Sequence, residues 1–195
     1  LLLVAPYLAY MRQDIAFNPG EIVSQRIVGQ FLAELFDGVI TVDPHLHRIS
    51  HLSEAIPLAD AIALSGAPRL ADLIGQRRQQ PLLIGPDAES AQWVELAAAR
   101  IGCDYAVCSK IRHGDRQVEV SLPPVDVSGR QVVLMDDVAS SGRTLARACE
   151  QLLAAGAASV DVAVTHALFA GDALQEIHAA GVGEVWSTDC IAHPS

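Results

Sequence analysis

The chain has 195 residues, 51% of them hydrophobic, so it exceeds one small domain and can bury a sizeable core. A formal charge of −10 and a pI near 5.0 argue against general affinity for nucleic acid or for an anionic membrane, and partners of neither kind are expected. The 13 lysines and arginines are then local tools.

Short apolar runs read as strands in chain order: Leu2 to Ala5, Val39 to Val42, Leu82 to Ile84, Tyr105 to Cys108, Gln131 to Met135, Val160 to Val164 and Val185 to Ser187. Helical spacing fills the intervals. Val23, Ile27, Phe31 and Leu35 form one pattern; Trp93, Leu96 and Ala97 another; Leu145, Ala148, Cys149, Leu152 and Leu153 a third, stopped at Gly156; Leu174 and Ile177 a fourth. Between Ser109 and Pro124 a polar loop passes into an alternating segment, Val118, Val120 and Leu122, which predicts a flap or hairpin arm. Strands alternating with helices predict an α/β fold with a parallel sheet, and periodicity alone predicts a single doubly wound one. Cys103, Cys108, Cys149 and Cys190 show no CxxC or Cys/His finger spacing, and most sit in or near apolar segments. They read as buried free thiols of a cytoplasmic protein. Leu1 to Ala5 is too short for a membrane span and lacks the basic region of a signal peptide.

The stretch Gln131 to Leu145, QVVLMDDVASSGRTL, carries the most chemistry. A strand buried on both faces ends in two carboxylates and passes into a small-residue loop that opens a helix. The carboxyl end of such a strand is where open parallel sheets bind ligands. Free N–H groups and the helix dipole there suit a phosphate dianion, Ser140, Ser141 and Thr144 add hydroxyl donors, and Gly142 admits close backbone approach. Asp136 and Asp137 are placed to accept hydrogen bonds from sugar hydroxyls. The same letters also fit a helix capped by serine, with the aspartates in a solvated turn.

This stretch resembles the phosphoribosyl-pyrophosphate loop shared by type I phosphoribosyltransferases and ribose-phosphate pyrophosphokinases. Other blocks separate the two. PYLAYMRQD (Pro6 to Asp14) and VITVDPH (Val39 to His45) are similar to the PYxxYxRQD and VDxH blocks of the pyrophosphokinases, GPDAES (Gly85 to Ser90) resembles their pyrophosphate-loop segment, and SKIRHGD (Ser109 to Asp115) their catalytic loop. The chain is thus similar to the ribose-phosphate pyrophosphokinase family.

The resemblance implies a phosphoribosyltransferase type I-like fold with two similar domains, residues 1–57 being the later part of the first and 58–195 the second. It implies transfer of the diphosphoryl group of ATP to the C1 hydroxyl of ribose 5-phosphate, giving phosphoribosyl pyrophosphate and AMP. Lys110 and Arg112 would be catalytic, stabilising the charge that spreads in a loose transition state. Arg12 and Gln13 would bind ATP. Ribose 5-phosphate would meet Arg112, Asp136, Asp137, Ser140, Ser141, Gly142, Arg143 and Thr144. Mg2+ would be held through His45 and Asp87. A homo-oligomer sharing active sites between subunits is implied as well. Because relatives are longer at each end and the chain lacks an initiator Met, it reads as a piece lacking both termini.

Each assignment has a plainer reading: a solvated basic loop for Lys110 and Arg112, an Arg12–Asp14 pair at a strand end, and surface imidazoles or a weak zinc site for His45 with His47 and His51. The sequence also departs from the pattern. DDxxDTGGT becomes DDVASSGRT, placing Arg143 where a glycine is usual; PDAES lacks the PDxGG glycines; RQDRR becomes RQDIA. These departures leave two alternatives: a non-catalytic regulatory relative of the synthetase, and a type I phosphoribosyltransferase.

Overall fold

The computed structural model describes residues 1–16, 18–113 and 117–194, with the side chains of residues 110–120 outside the described set. Two compact units divide the chain, Leu1–Gly66 and Ala67–Ser195.

In the first unit, β1 (Leu2–Val4), β2 (Gly38–Val42) and β3 (Asp60–Leu64) form a parallel sheet in that order, with Val4 beside Ile40 and Ile40 beside Ile62. Helix α1 (Ser24–Leu35) lies between β1 and β2 in the chain. Val39, Met11 and Ile56 centre its core, with Leu32 and Ala61 packed against them. The apolar spacing of α1 predicts the helix but misleads about its inward face. Ile27, Phe31 and Leu35 are 54%, 56% and 51% exposed, whereas Gln25 and Gly29 are buried. The reason is a backbone contact: a Cβ on Gly29 would lie 1.8 Å from the Ala55 carbonyl oxygen, so this face presses against main chain that only glycine allows. Gln25 Nε2 donates to the Met11 carbonyl at 3.1 Å, giving the buried amide a partner.

The second unit starts with α2 (Ala67–Arg77), β4 (Leu82–Gly85), α3 (Ala91–Ile101) and β5 (Asp104–Val107). The antiparallel pair β6 (Ser109–His113) and β7 (Gln117–Ser121) follows. Then come β8 (Gln131–Ala139), α4 (Arg143–Ala154), β9 (Ser159–Ala167), α5 (Ala173–Ala179) and β10 (Val185–Ser187). Five strands form a parallel sheet in the order β10-β9-β8-β4-β5. Alternation along β8 sends Val132 and Leu134 to a core with Leu145, Leu152 and Ile177, and Val133 and Met135 to another with Leu70, Ile74 and Trp93. Burial on both faces is what makes these strands read as continuous apolar runs.

Every strand expected from the sequence is present, and the arm after Ser109 is an antiparallel hairpin. The sheets correct the expectation of a single doubly wound sheet, since β1 to β3 form one of their own. Strand β8 also runs past the expected end at Met135 to Ala139, because Asp136, Val138 and Ala139 keep pairing with Val164, His166 and Ala167 of β9. Among the described residues no helix is long and apolar enough to cross a membrane. Cys108 and Cys149 are buried free thiols, Cys103 and Cys190 partly buried ones.

Candidate active site

The strand order locates the site. From β4 the chain moves outward to β5, whereas from β8 it moves to β9 and β10 on the opposite side. The direction of winding therefore reverses between β4 and β8, and the crevice beyond the carboxyl ends of those two strands is where an open α/β sheet takes its ligand. Asp87 follows β4, and Asp136 and Asp137 stand on the last part of β8.

These carboxylates feel one another. Burial, then the charges of Asp137 and Asp87, hold the Asp136 carboxyl well above the usual carboxylate range. Asp137 is buried, and its N–H donates to Asp136 Oδ1 at 3.0 Å. Asp87 is also buried and caps a short 3₁₀ turn (Ala88–Ser90), its Oδ1 accepting from Glu89 N at 3.0 Å while Ser90 Oγ donates to its carbonyl at 2.6 Å. Burial, then the Asp87 charge, pushes the nearby Cys108 thiol up to about 11, so it is no thiolate nucleophile at neutral pH.

The shift at Asp136 gives a pH dependence with a definite sign. A carboxyl whose folded pKa lies above its unfolded value of about 3.9 binds its proton more tightly when folded, so stability declines as pH rises from that value through the folded one. Asp136→Asn removes the titration. Melting curves from pH ~4 to pH ~8 are expected to be flatter for the variant, with a higher melting temperature at the alkaline end. A variant whose stability keeps the wild-type pH slope would show that Asp136 does not carry the proton.

After Ala139 the chain turns through Ser140 and Ser141 into α4. Its N-cap is Gly142, at φ +69° and with no side-chain capping bond, which removes the reading of a serine-capped helix. The left-handed backbone and close packing both require glycine: a Cβ there would stand 2.7 Å from Ile177 Cδ1 and 2.9 Å from Ile177 Cγ1. Thr144 is partly buried, Arg143 and Ser141 exposed. The loop is fastened by backbone that sequence reasoning did not single out. Leu168 N and Phe169 N donate to the Ala139 carbonyl at 3.1 and 2.9 Å, and Ala170 N donates to the Ser140 carbonyl at 3.0 Å. These fix the carbonyl side of the turn and leave the first N–H groups of α4 without a side-chain cap.

The remaining expected residues fall elsewhere. Lys110 and Arg112 lie on β6, opposite Val120 and Val118 of β7, and their side chains are outside the described residues, as is Asp115 entirely. Arg12 is exposed, and Asp14 is held by Arg48 Nη1 at 2.7 Å to both oxygens. Gln13 spans its own loop: Nε2 donates to the carbonyls of Ile15 and Ile22 at 2.9 and 2.8 Å, and Oε1 accepts from Ser24 N. His45 belongs to the first unit, at φ +57° and buried, while Asp87 belongs to the second.

A winding reversal with carboxylates at its strand ends and a helix start free of side-chain caps is the ligand crevice of an open α/β sheet, and the class of that sheet is the phosphoribosyltransferase one by its family match. Residues 58–185 match the phosphoribosyl transferase domain, a span that takes in β3 although β3 pairs within the first unit. Over 189 residues the chain is 36% identical to ribose-phosphate pyrophosphokinase 2 of Archaeoglobus fulgidus, covering 96% of this chain and 67% of that one. It is 33% identical to ribose-phosphate pyrophosphokinase of Methanopyrus kandleri, covering all of this chain and 66% of the relative. The crystal structure of phosphoribosylpyrophosphate synthetase from Mycobacterium smegmatis superposes with a TM-score of 0.83 at 26% identity, over 97% of this chain and 61% of that one. The chain belongs to the ribose-phosphate pyrophosphokinase family. It spans about two thirds of the length of these relatives.

Proposed function

We propose that this protein transfers the diphosphoryl group of ATP to ribose 5-phosphate. The C1 hydroxyl oxygen of the sugar bonds to the β-phosphorus, the bond from that phosphorus to the oxygen bridging it to the α-phosphorus breaks, AMP leaves with that oxygen, and the hydroxyl proton passes to solvent or base. The observation that carries this reading is the passage from Asp136 to Thr144, where two carboxylates at a winding reversal lead into an uncapped helix start. Asp136 and Asp137 would hold the ribose hydroxyls. The N–H groups from Ser140 to Thr144, with the hydroxyls and Arg143, would hold the 5-phosphate. Lys110 and Arg112, on a hairpin arm, would meet the transferring group, and Arg12 and Gln13 the nucleotide.

Magnesium fits the second unit's donors, because Asp87 brings a hard oxygen donor whose negative charge, with that of Asp137, bears on the Asp136 carboxyl, and a divalent cation relieves that repulsion. Asp87 in the second unit and His45 in the first are each candidate ligands of such an ion, which when bound would neutralise triphosphate charge. The two units would be the later part of one phosphoribosyltransferase-like domain and a second such domain. Self-association with shared sites and a cytoplasmic location complete the reading.

The test is AMP release from ATP by the whole protein, with and without ribose 5-phosphate and Mg2+. AMP that depends on both supports the reading. Bound ribose 5-phosphate without AMP would overturn it and point to a non-catalytic relative.

A further inference from the structure

Phe169, between β9 and α5, adopts a backbone conformation that its residue type opposes. Its φ is +36°, a left-handed region that glycine enters freely and a bulky residue seldom does. Such conformations persist where the surroundings over-determine them, and they concentrate at functional sites.

Here the surroundings act on both backbone and ring. Phe169 N donates to the Ala139 carbonyl at 2.9 Å, and Ala170 N, one residue on, donates to the Ser140 carbonyl at 3.0 Å. The ring is 7% exposed and belongs to the core of Leu134, Leu145 and Ile177. The His193 ring lies against it, with centroids 4.9 Å apart and planes tilted by 52°, within the range of favourable aromatic pairing. A glycine would take the same φ without strain, yet it would have no ring to hold. The side chain therefore anchors to the core a turn whose backbone grips the last residue of β8 and the first of the loop that follows it.

We infer that Phe169 is a positioning residue for the sugar phosphate. Its buried ring locks the turn, the turn fixes the Ala139 and Ser140 carbonyls, and those peptides set the direction of the N–H groups that lead into α4. The inference rests on the reading of Ser140 to Thr144 as the cradle of the 5-phosphate, and it adds a residue that acts through that loop. The 5-phosphate takes no part in bond making or breaking, so its contacts act equally on ground and transition states. Loosening them weakens binding of ribose 5-phosphate and leaves kcat in place.

Phe169→Gly in the whole protein is the test, because it removes the ring and keeps the φ accessible. The dissociation constant for ribose 5-phosphate, read by calorimetry, should rise about tenfold, while kcat at saturating sugar phosphate and KM for ATP hold. Amide hydrogen exchange reads the turn without reference to turnover. Ala170 N–H should exchange about tenfold faster, whereas Val162 N–H on β9, bonded to the Glu184 carbonyl at 2.9 Å, should keep its rate. Phe169→Leu restores apolar bulk and should recover part of both losses. If Phe169→Gly fails to fold, His193→Ala decides, with the same pair of changes at about threefold. Wild-type affinity or wild-type Ala170 exchange in the folded variant, or a kcat that falls as binding weakens, would overturn the inference and leave the cradle reading standing. Absence of ribose 5-phosphate binding by wild type would overturn both, so the two failures are told apart.

Discussion

Gly142→Ala is expected to destabilise the second unit by about 2–4 kcal/mol and, on the proposed reading of the loop, to remove most of the affinity for ribose 5-phosphate. Two costs add. The backbone sits at φ +69°, where a side chain costs about 1–2 kcal/mol, and the new Cβ would stand 2.7 Å from Ile177 Cδ1 and 3.3 Å from the Ala173 carbonyl oxygen. Relief by movement would shift the start of α4 away from α5 and spoil the alignment of its free N–H groups. The second cost can be separated from the first. Ile177→Val deletes the Cδ1 atom, so the double variant should recover part of the loss in thermal melts while the strain remains. A Gly142→Ala protein that melts and binds like wild type would show that the helix does not begin in this conformation.

Asp161→Ala should cost about 3–5 kcal/mol, or on the order of 10 °C in melting temperature. Asp161 is 1% exposed on β9, and its Oδ2 accepts from Arg78 Nε at 2.7 Å while its Oδ1 accepts from Glu184 N at 2.9 Å. Arg78 also reaches Glu184 at 3.1 Å and stacks 5.1 Å over Trp186, whose Nε1 donates to Glu184 at 3.0 Å. Removing the carboxylate takes the buried partner from a guanidinium that is 17% exposed, leaving it the more exposed Glu184, and frees the turn before β10. Replacing both charges, as in Asp161→Leu with Arg78→Met, should destabilise less than Asp161→Ala, because the guanidinium goes with its buried partner and the charge left over, Glu184, is 47% exposed. Equal melting temperatures for Asp161→Ala and wild type would mean the network contributes nothing.

The sequence shows some layers of this structure more openly than others. Strands β4, β8 and β9 are legible because burial on both faces leaves unbroken runs such as Val132 to Met135. Strand β3, Asp60–Leu64, is not legible because its five residues are mostly exposed and two are alanine, so neither alternation nor an apolar run stands out. Helix α2 does carry a signal in the letters: Ala67, Leu70, Ala71 and Ile74 follow helical spacing and are all buried. In α1 periodicity gave the helix and the wrong inward face, since Gly29 can approach the Ala55 carbonyl and an apolar residue cannot.

At the site, Asp136 to Thr144 could be read from residue types because phosphate binding depends on a local strand-to-helix turn. What fastens that turn could not. The Leu168–Ala170 backbone and Ile177 reach it from beyond β9, and backbone donors leave no mark in side-chain letters. The spacing of His45 to His47 was visible, but not their 2.9 Å approach, which depends on left-handed residues at Asp43 and His45.

The most direct test of diphosphoryl transfer follows the β-phosphorus of ATP. With ATP labelled at that atom, incubation of the whole protein with Mg2+ and ribose 5-phosphate should place the label in a diphosphate ester on the C1 oxygen, with one unlabelled AMP released per ester formed. Label recovered instead in ADP or inorganic phosphate, or at the same rate without the sugar, would contradict it.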